Sequence, residues 1–131
     1  MIVLDTHVWL WWLSKPEDLS AGALAAIEEA RGTGSVHISS ISAWEIAMLV
    51  ARGRLVLTMG VREWVSRSEA LPFFRLVPVS NAIAIRAVEL PGKFHPDPAD
   101  RIIVATALSL GAPVVTKDEK ILNYPHVTTV W

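Results

Sequence analysis

The chain contains no cysteine. That excludes disulfide scaffolds, zinc–thiolate centres, iron–sulfur clusters and cysteine nucleophiles, and it fits a reducing compartment. Neither G-x-G-x-x-G nor G-x-x-x-x-G-K-[ST] occurs, so no glycine-rich loop is available to cradle a nucleotide cofactor. The four histidines, His7, His37, His95 and His126, lack H-E-x-x-H or similar metal spacing and read as surface or capping residues. The longest apolar run, Val8–Leu13, is far too short to span a bilayer. Met1-Ile2-Val3-Leu4 enters a strand-like run with no basic segment ahead of it. A signal peptide is therefore not expected, and the cytoplasm is the expected setting. The net charge of −1 lacks the basic excess of a protein that only coats nucleic acid. It leaves room for an enzyme with a local acidic site and a local basic patch.

What is present fits one domain over residues 1–131, a length that buries roughly two-thirds of its unfolded surface. Hydrophobic residues make up 52% and charged residues 19%, which argues against a disordered or solvating segment. Short apolar runs at 2–4, 36–38, 75–79, 112–115 and 127–130 read as strands. Helices are expected at 6–13, at 21–31 behind Ser20, from Ser42 to about Arg52, at 61–71, from Ser80 to Leu90 and at 98–110. A short helix is expected after Asp118. Asp97-Pro98 places Asp at N-cap and Pro at the first position of the 98–110 helix. Alternating strands and helices predict an α/β fold with a central parallel sheet of four to five strands.

Four acids fall where a strand hands over to a helix: Asp5, Glu45, Asp100 and Asp118. In an open parallel sheet the ligand crevice lies outside the carboxyl ends of the strands. Each acid also has a structural explanation. Asp5 and Asp118 suit helix caps, and Ser42 to Glu45 has the S-x-x-E form of a capping box. Asp100 suits the anion-favouring first turn behind Asp97. Independent capping explains each position but not the shared location of all four. Carboxylates brought together repel unless a cation joins them, and hard oxygen ligands suit Mg²⁺ or Mn²⁺. Such a site suggests phosphodiester hydrolysis. Thr6, Ser42 and Thr116 are placed to orient the ligands, Asp97 is a further acid, and Arg101 is a candidate partner for the acids or for a substrate phosphate. His95 is a candidate for binding phosphate or ordering its loop.

Six tryptophans are many for this length. Trp9, Trp11 and Trp12 diverge by about 100° per residue on one helix, so they cannot all face one core, and at least one is expected to meet a partner. Arg52, Arg54, Arg62 and Arg67 form either a solvated face or a phosphate track.

Asp5-Thr6-His7, the Ser42–Ile46 segment with Glu45, HPDPADRIIVATA at 95–107 and Thr116-Lys117-Asp118 together resemble the PIN-domain ribonucleases. Among them the chain is most similar to VapC-type toxins of bacterial toxin–antitoxin pairs. The resemblance covers essentially the whole chain, and DPADR is its most specific part. It implies a PIN fold and Mg²⁺- or Mn²⁺-dependent RNA cleavage leaving 5′-phosphate and 3′-hydroxyl ends. It maps the family's four acids onto Asp5, Glu45, Asp100 and Asp118, and its polar companion onto Thr116. It further implies a homodimer and a cognate VapB-type antitoxin. The alternatives are a PIN-fold nuclease of RNA processing or DNA cleavage without a toxin role, and a non-catalytic binding module.

Overall fold

The computed structural model describes residues 1–131. Five strands, β1 (Ile2–Leu4), β2 (Val36–Ser39), β3 (Phe74–Val77), β4 (Val114–Val115) and β5 (Thr129–Val130), form one sheet in the order β3-β2-β1-β4-β5. Every pairing is parallel. Seven helices connect and cover it: α1 (Thr6–Ser14), α2 (Ala21–Gly32), α3 (Ser40–Ala51), α4 (Val61–Glu69), α5 (Asn81–Val88), α6 (Pro98–Leu110) and α7 (Glu119–Leu122). The expected α/β class is borne out. Strand ends differ from expectation by up to two residues. Lys15-Pro16-Glu17-Asp18, expected as a break, holds a single 3-10 turn at Pro16–Asp18.

The central strands β1 and β4 are buried on both faces, and their residues alternate between two cores. Ile2 and Leu4 join Val36 and Ile38 in a core with Trp9, Ile27 and Trp64. Val3 and Val114 point the other way, into a core with Ile103, Val104, Ile121 and Tyr124. This is the period-two geometry of a strand. Trp9 is fully buried, 4.7 Å ring to ring from Trp64 and 5.7 Å from Phe74.

Helix starts follow their caps. Ser20 accepts from the Ala23 N–H and Ser80 from the Ile83 N–H, as the sequence predicts. α6 opens on Asp97 with Pro98 at its first position and ends on Gly111 at φ 64°, a left-handed stop suited to glycine. The start of α3 corrects the sequence reading. Its cap is Ser39, whose hydroxyl accepts from the Ile41 N–H, so the helix begins at Ser40. Ser42 is then inside the helix, Glu45 lies in its second turn, and no capping box joins them.

Chain order reverses at β1. β2 and β3 lie to one side and β4 and β5 to the other, so a crevice opens beyond the carboxyl end of β1. No helix is long and apolar enough to cross a membrane.

Candidate active site

Asp5 follows β1 and caps α1. It is 6% exposed, and both its oxygens have partners. The Thr6 N–H donates to Oδ1 at 2.8 Å, and the Thr116 hydroxyl donates to Oδ2 at 2.8 Å. Thr116 stands at the end of β4, and its Oγ1 also accepts the Asp118 N–H at 3.0 Å. One hydroxyl therefore links the acids that follow the two neighbouring strands. Asp118 caps α7 through Oδ1, which accepts from the Lys120 N–H.

Thr6 plays the corresponding part toward α3. Its hydroxyl oxygen lies 2.5 Å from Glu45 Oε1 and 2.8 Å from Ser42 Oγ. A hydroxyl carries one hydrogen, so when Thr6 donates to Glu45 it accepts from Ser42. Ser42 is fully buried and belongs to this network. The structural explanation for Glu45 has thus gone, and a cross-element hydrogen bond replaces it.

Asp100 and Asp97 approach from α6. Asp97 Oδ1 accepts the Ala99 and Asp100 N–H groups at 2.9 and 3.4 Å. His95 Nε2 lies 3.0 Å from Asp100 Oδ2, an ion-pair contact whenever the ring is protonated, although the two are not aligned as a hydrogen bond. His95 is the histidine that reaches the acids through this contact. His37 Nδ1 faces the Ser35 carbonyl, and His126 packs on Tyr124.

The electrostatics show that these carboxyls share one space. Burial, then the charges of Asp5, Asp97, Asp118 and Glu45, push Asp100 up to about 8. Glu45 is raised by burial first and by Asp5 and Asp97 after it, against the Thr6 hydrogen bond. Asp5 is raised by burial, with its Thr116 and Thr6 hydrogen bonds and His7 opposing. No three of these side chains are already arranged to hold one ion. The donor set nevertheless suits a hard cation, being all oxygen and crowded with like charge. Compensating a like-charged cluster of this kind is what a divalent ion does.

Arg101 is not directed at the acids. Its guanidinium donates to the carbonyls of Ala87, Phe94, His95 and Val88 at 2.8 to 3.3 Å. It pins the end of α5 to the loop that carries His95. Five donors in a rigid fork suit this clamping task, but nothing in the sequence separates it from phosphate binding. The tryptophans also divide unexpectedly. The most exposed is Trp44 on α3, at 56%. In α1, Trp9 is core, Trp12 packs on Phe73, and Trp11 lies between His7 and Trp131.

A parallel sheet with an acid-lined crevice at its switch point, built from the ends of β1 and β4 and the starts of α3 and α6, defines a PIN domain. The sequence model of the PIN domain family matches residues 2–127, and the chain belongs to that family. Ribonuclease VapC22 of Mycobacterium tuberculosis is 37% identical over 99% of this chain and 98% of its own length, so the chain is a VapC homologue. The same fold occurs in VapBC2 from Rickettsia felis, solved bound to a promoter DNA fragment. That match has a TM-score of 0.71 at 18% identity, covering 98% of this chain and 97% of that one. It occurs also in DNA-bound VapBC from Salmonella typhimurium, with a TM-score of 0.66 at 20% identity, covering 98% and 95%.

Proposed function

We propose that the chain is a divalent-metal-dependent endoribonuclease, a VapC-like toxin held in check by a VapB-type antitoxin. Its relationship to ribonuclease VapC22 supports the reaction class. The observation that carries the site is the convergence of carboxyls from four segments on Asp100, which burial first and the charges of Asp5, Asp97, Asp118 and Glu45 after it push up to about 8. In this reading Asp5, Asp100 and Asp118 hold Mg²⁺ or Mn²⁺, and Glu45 binds directly or through water. Asp97 adds charge and fixes the start of α6.

When bound, the cation makes a water easier to deprotonate and offsets negative charge growing on the phosphate. The chain's own residues supply the geometry. Thr116 and the Thr6 N–H fix the Asp5 carboxylate from two directions. Thr6 orients Glu45, and Thr116 orients the backbone of Asp118. His95 Nε2 lies 3.0 Å from Asp100 Oδ2 and borders that carboxyl on the side of its loop. In this reading water would attack phosphorus in line and leave 5′-phosphate and 3′-hydroxyl ends, as the resemblance to the PIN-domain ribonucleases implies, in place of attack by the 2′-hydroxyl.

Two protein partners belong to the same reading. Exposed Val88, Ile85 and Trp44 offer apolar surface for a second copy of the chain, and the VapBC assemblies sharing the fold support an antitoxin. The test is cleavage of RNA by purified protein with Mg²⁺, Mn²⁺ or EDTA, beside an Asp5→Asn, Asp100→Asn double variant. Metal-dependent cleavage that disappears in the variant is the expected result. Full cleavage by the variant would overturn the site.

A further inference from the structure

Two cavities on one side of the acids share His7 and Trp11 and form one groove. The inner one, about 340 Å³, opens beside Asp5 and Asp118 and is walled by His7, Trp11 and Lys117. The outer one, about 600 Å³, continues past Lys15 to Arg54 and Leu55. Lys117 Nζ lies 5.9 Å from the centre of the Trp11 ring, within cation–π range. Lys117 and Arg54 are exposed, and neither pairs with a carboxylate, whereas Lys15 is paired with Asp18 at 3.7 Å. The groove therefore runs acid cluster, free cation, aromatic face, free cation.

The opposite side of the acids is different. There a cavity of about 470 Å³ is lined by Ile41, Trp44, Glu45, Met48, Asp97 and Pro98, with no cation among its lining residues. Arg62 and Arg67 of the basic run do not extend the first groove. Arg67 is paired with Glu63 at 2.9 Å, and Arg62 lines a separate surface depression with Val61 and Val65. A cationic groove interleaved with aromatic faces is what single-stranded nucleic acid requires, because every base has a face to stack and every linkage a charge to neutralise.

We propose that this groove takes the single-stranded RNA flank beside the scissile phosphate. Lys117 binds the phosphate next to the reacting one, Trp11 stacks a base, and Arg54 grips a phosphate further along. The inference rests on the nuclease reading but adds the strand's exit path and the residues that set it.

The test is fluorescence anisotropy with a short labelled oligouridylate across a salt series, once in EDTA and once in Ca²⁺, beside KM for cleavage in Mg²⁺. Lys117→Ala and Arg54→Ala should each weaken binding about tenfold and flatten the log–log salt slope by about 0.7. Trp11→Leu should weaken binding about tenfold with the slope unchanged, since stacking carries no counterion release. Arg62→Ala, outside the groove, should change neither. Unaltered affinity and slope in both cation variants, or no RNA binding by the unmodified protein in either condition, would overturn the proposal and leave the groove to a protein partner. The two readings fail separately. Cleavage with KM unchanged in the groove variants removes the groove alone. Groove-dependent binding without cleavage in Mg²⁺ or Mn²⁺ removes the nuclease alone.

Discussion

At the end of β1, Asp5 is buried and both its oxygens are taken by neutral donors, one from Thr6 and one from Thr116. At the start of α6, Asp100 is set among other carboxyl groups beside one imidazole, and burial first, then the charges of those carboxyls, hold its proton on to about 8. The first carboxylate is oriented before any cation arrives. The second holds its proton through burial and, after it, like charge. Hydrogen bonds to hydroxyls fix direction cheaply, whereas charge crowding stores a preference for a cation that no neutral contact could supply.

The contrast can be broken from either end. The largest effect is expected at the oriented end. Asp5→Asn keeps the shape and the Thr6 contact but removes the charge. Cleavage should fall by about 10³ or more, as loss of several kcal/mol of transition-state stabilisation requires, while circular dichroism stays unchanged. Thr116→Val should come next. It leaves Asp5 Oδ2 buried without a donor, at a cost of about 1–3 kcal/mol in urea unfolding. It should also weaken Mg²⁺ binding about 10–100-fold by calorimetry. An unchanged metal affinity would show that Asp5 needs no orienting.

Smaller effects belong to the crowded end. In the ion-free protein Asp100 binds its proton up to about 8, against 3.8 for an unperturbed aspartate. The unfolded chain gives up that proton first, so stability should decline as pH rises between those values. Melting temperature in EDTA should drop across this window. Added Mg²⁺ should restore it, more at pH 8 than at pH 5. A flat profile would mean that the carboxyls do not share one space. The smallest change is expected from Asp97→Asn. It keeps most of the cap, whose complete loss costs about 1 kcal/mol, and removes one of the charges on Asp100. The Asp100 titration followed by carboxyl NMR should move to lower pH, with little change in unfolding free energy.

The oriented half of the site was the more legible in the sequence. Asp5-Thr6 follows an apolar run, Thr116-Lys117-Asp118 follows another, and strand ends in a parallel sheet share a crevice by topology. Asp97-Pro98 likewise announced α6. Glu45 lies beside Thr6 at the crevice, but the capping box with Ser42 that its sequence also suited does not form. Ser39, Ser40 and Ser42 all suit an N-cap, and only packing decides that Ser39 takes the position and Ser42 turns inward to Thr6. Arg101 bonds backbone carbonyls in place of the acids, and such partners carry no signature in side-chain pattern. Trp44 and Trp11 could not be told apart by composition. Which of them faces solvent depends on how α1 and α3 rotate against their neighbours.

The contact between Thr116 and Asp5 joins residues 111 apart in the chain. It crosses between β1, the first strand, and β4, which in chain order follows two crossovers on the other side of β1. Closing so long a loop should be slow and come late, since nothing rewards it until both strands are in place. A partly folded chain can therefore carry most of its helices and still have no active centre. Activity in this protein should report complete folding in an all-or-none way, recovering last during refolding and disappearing first when the β1–β4 seam opens.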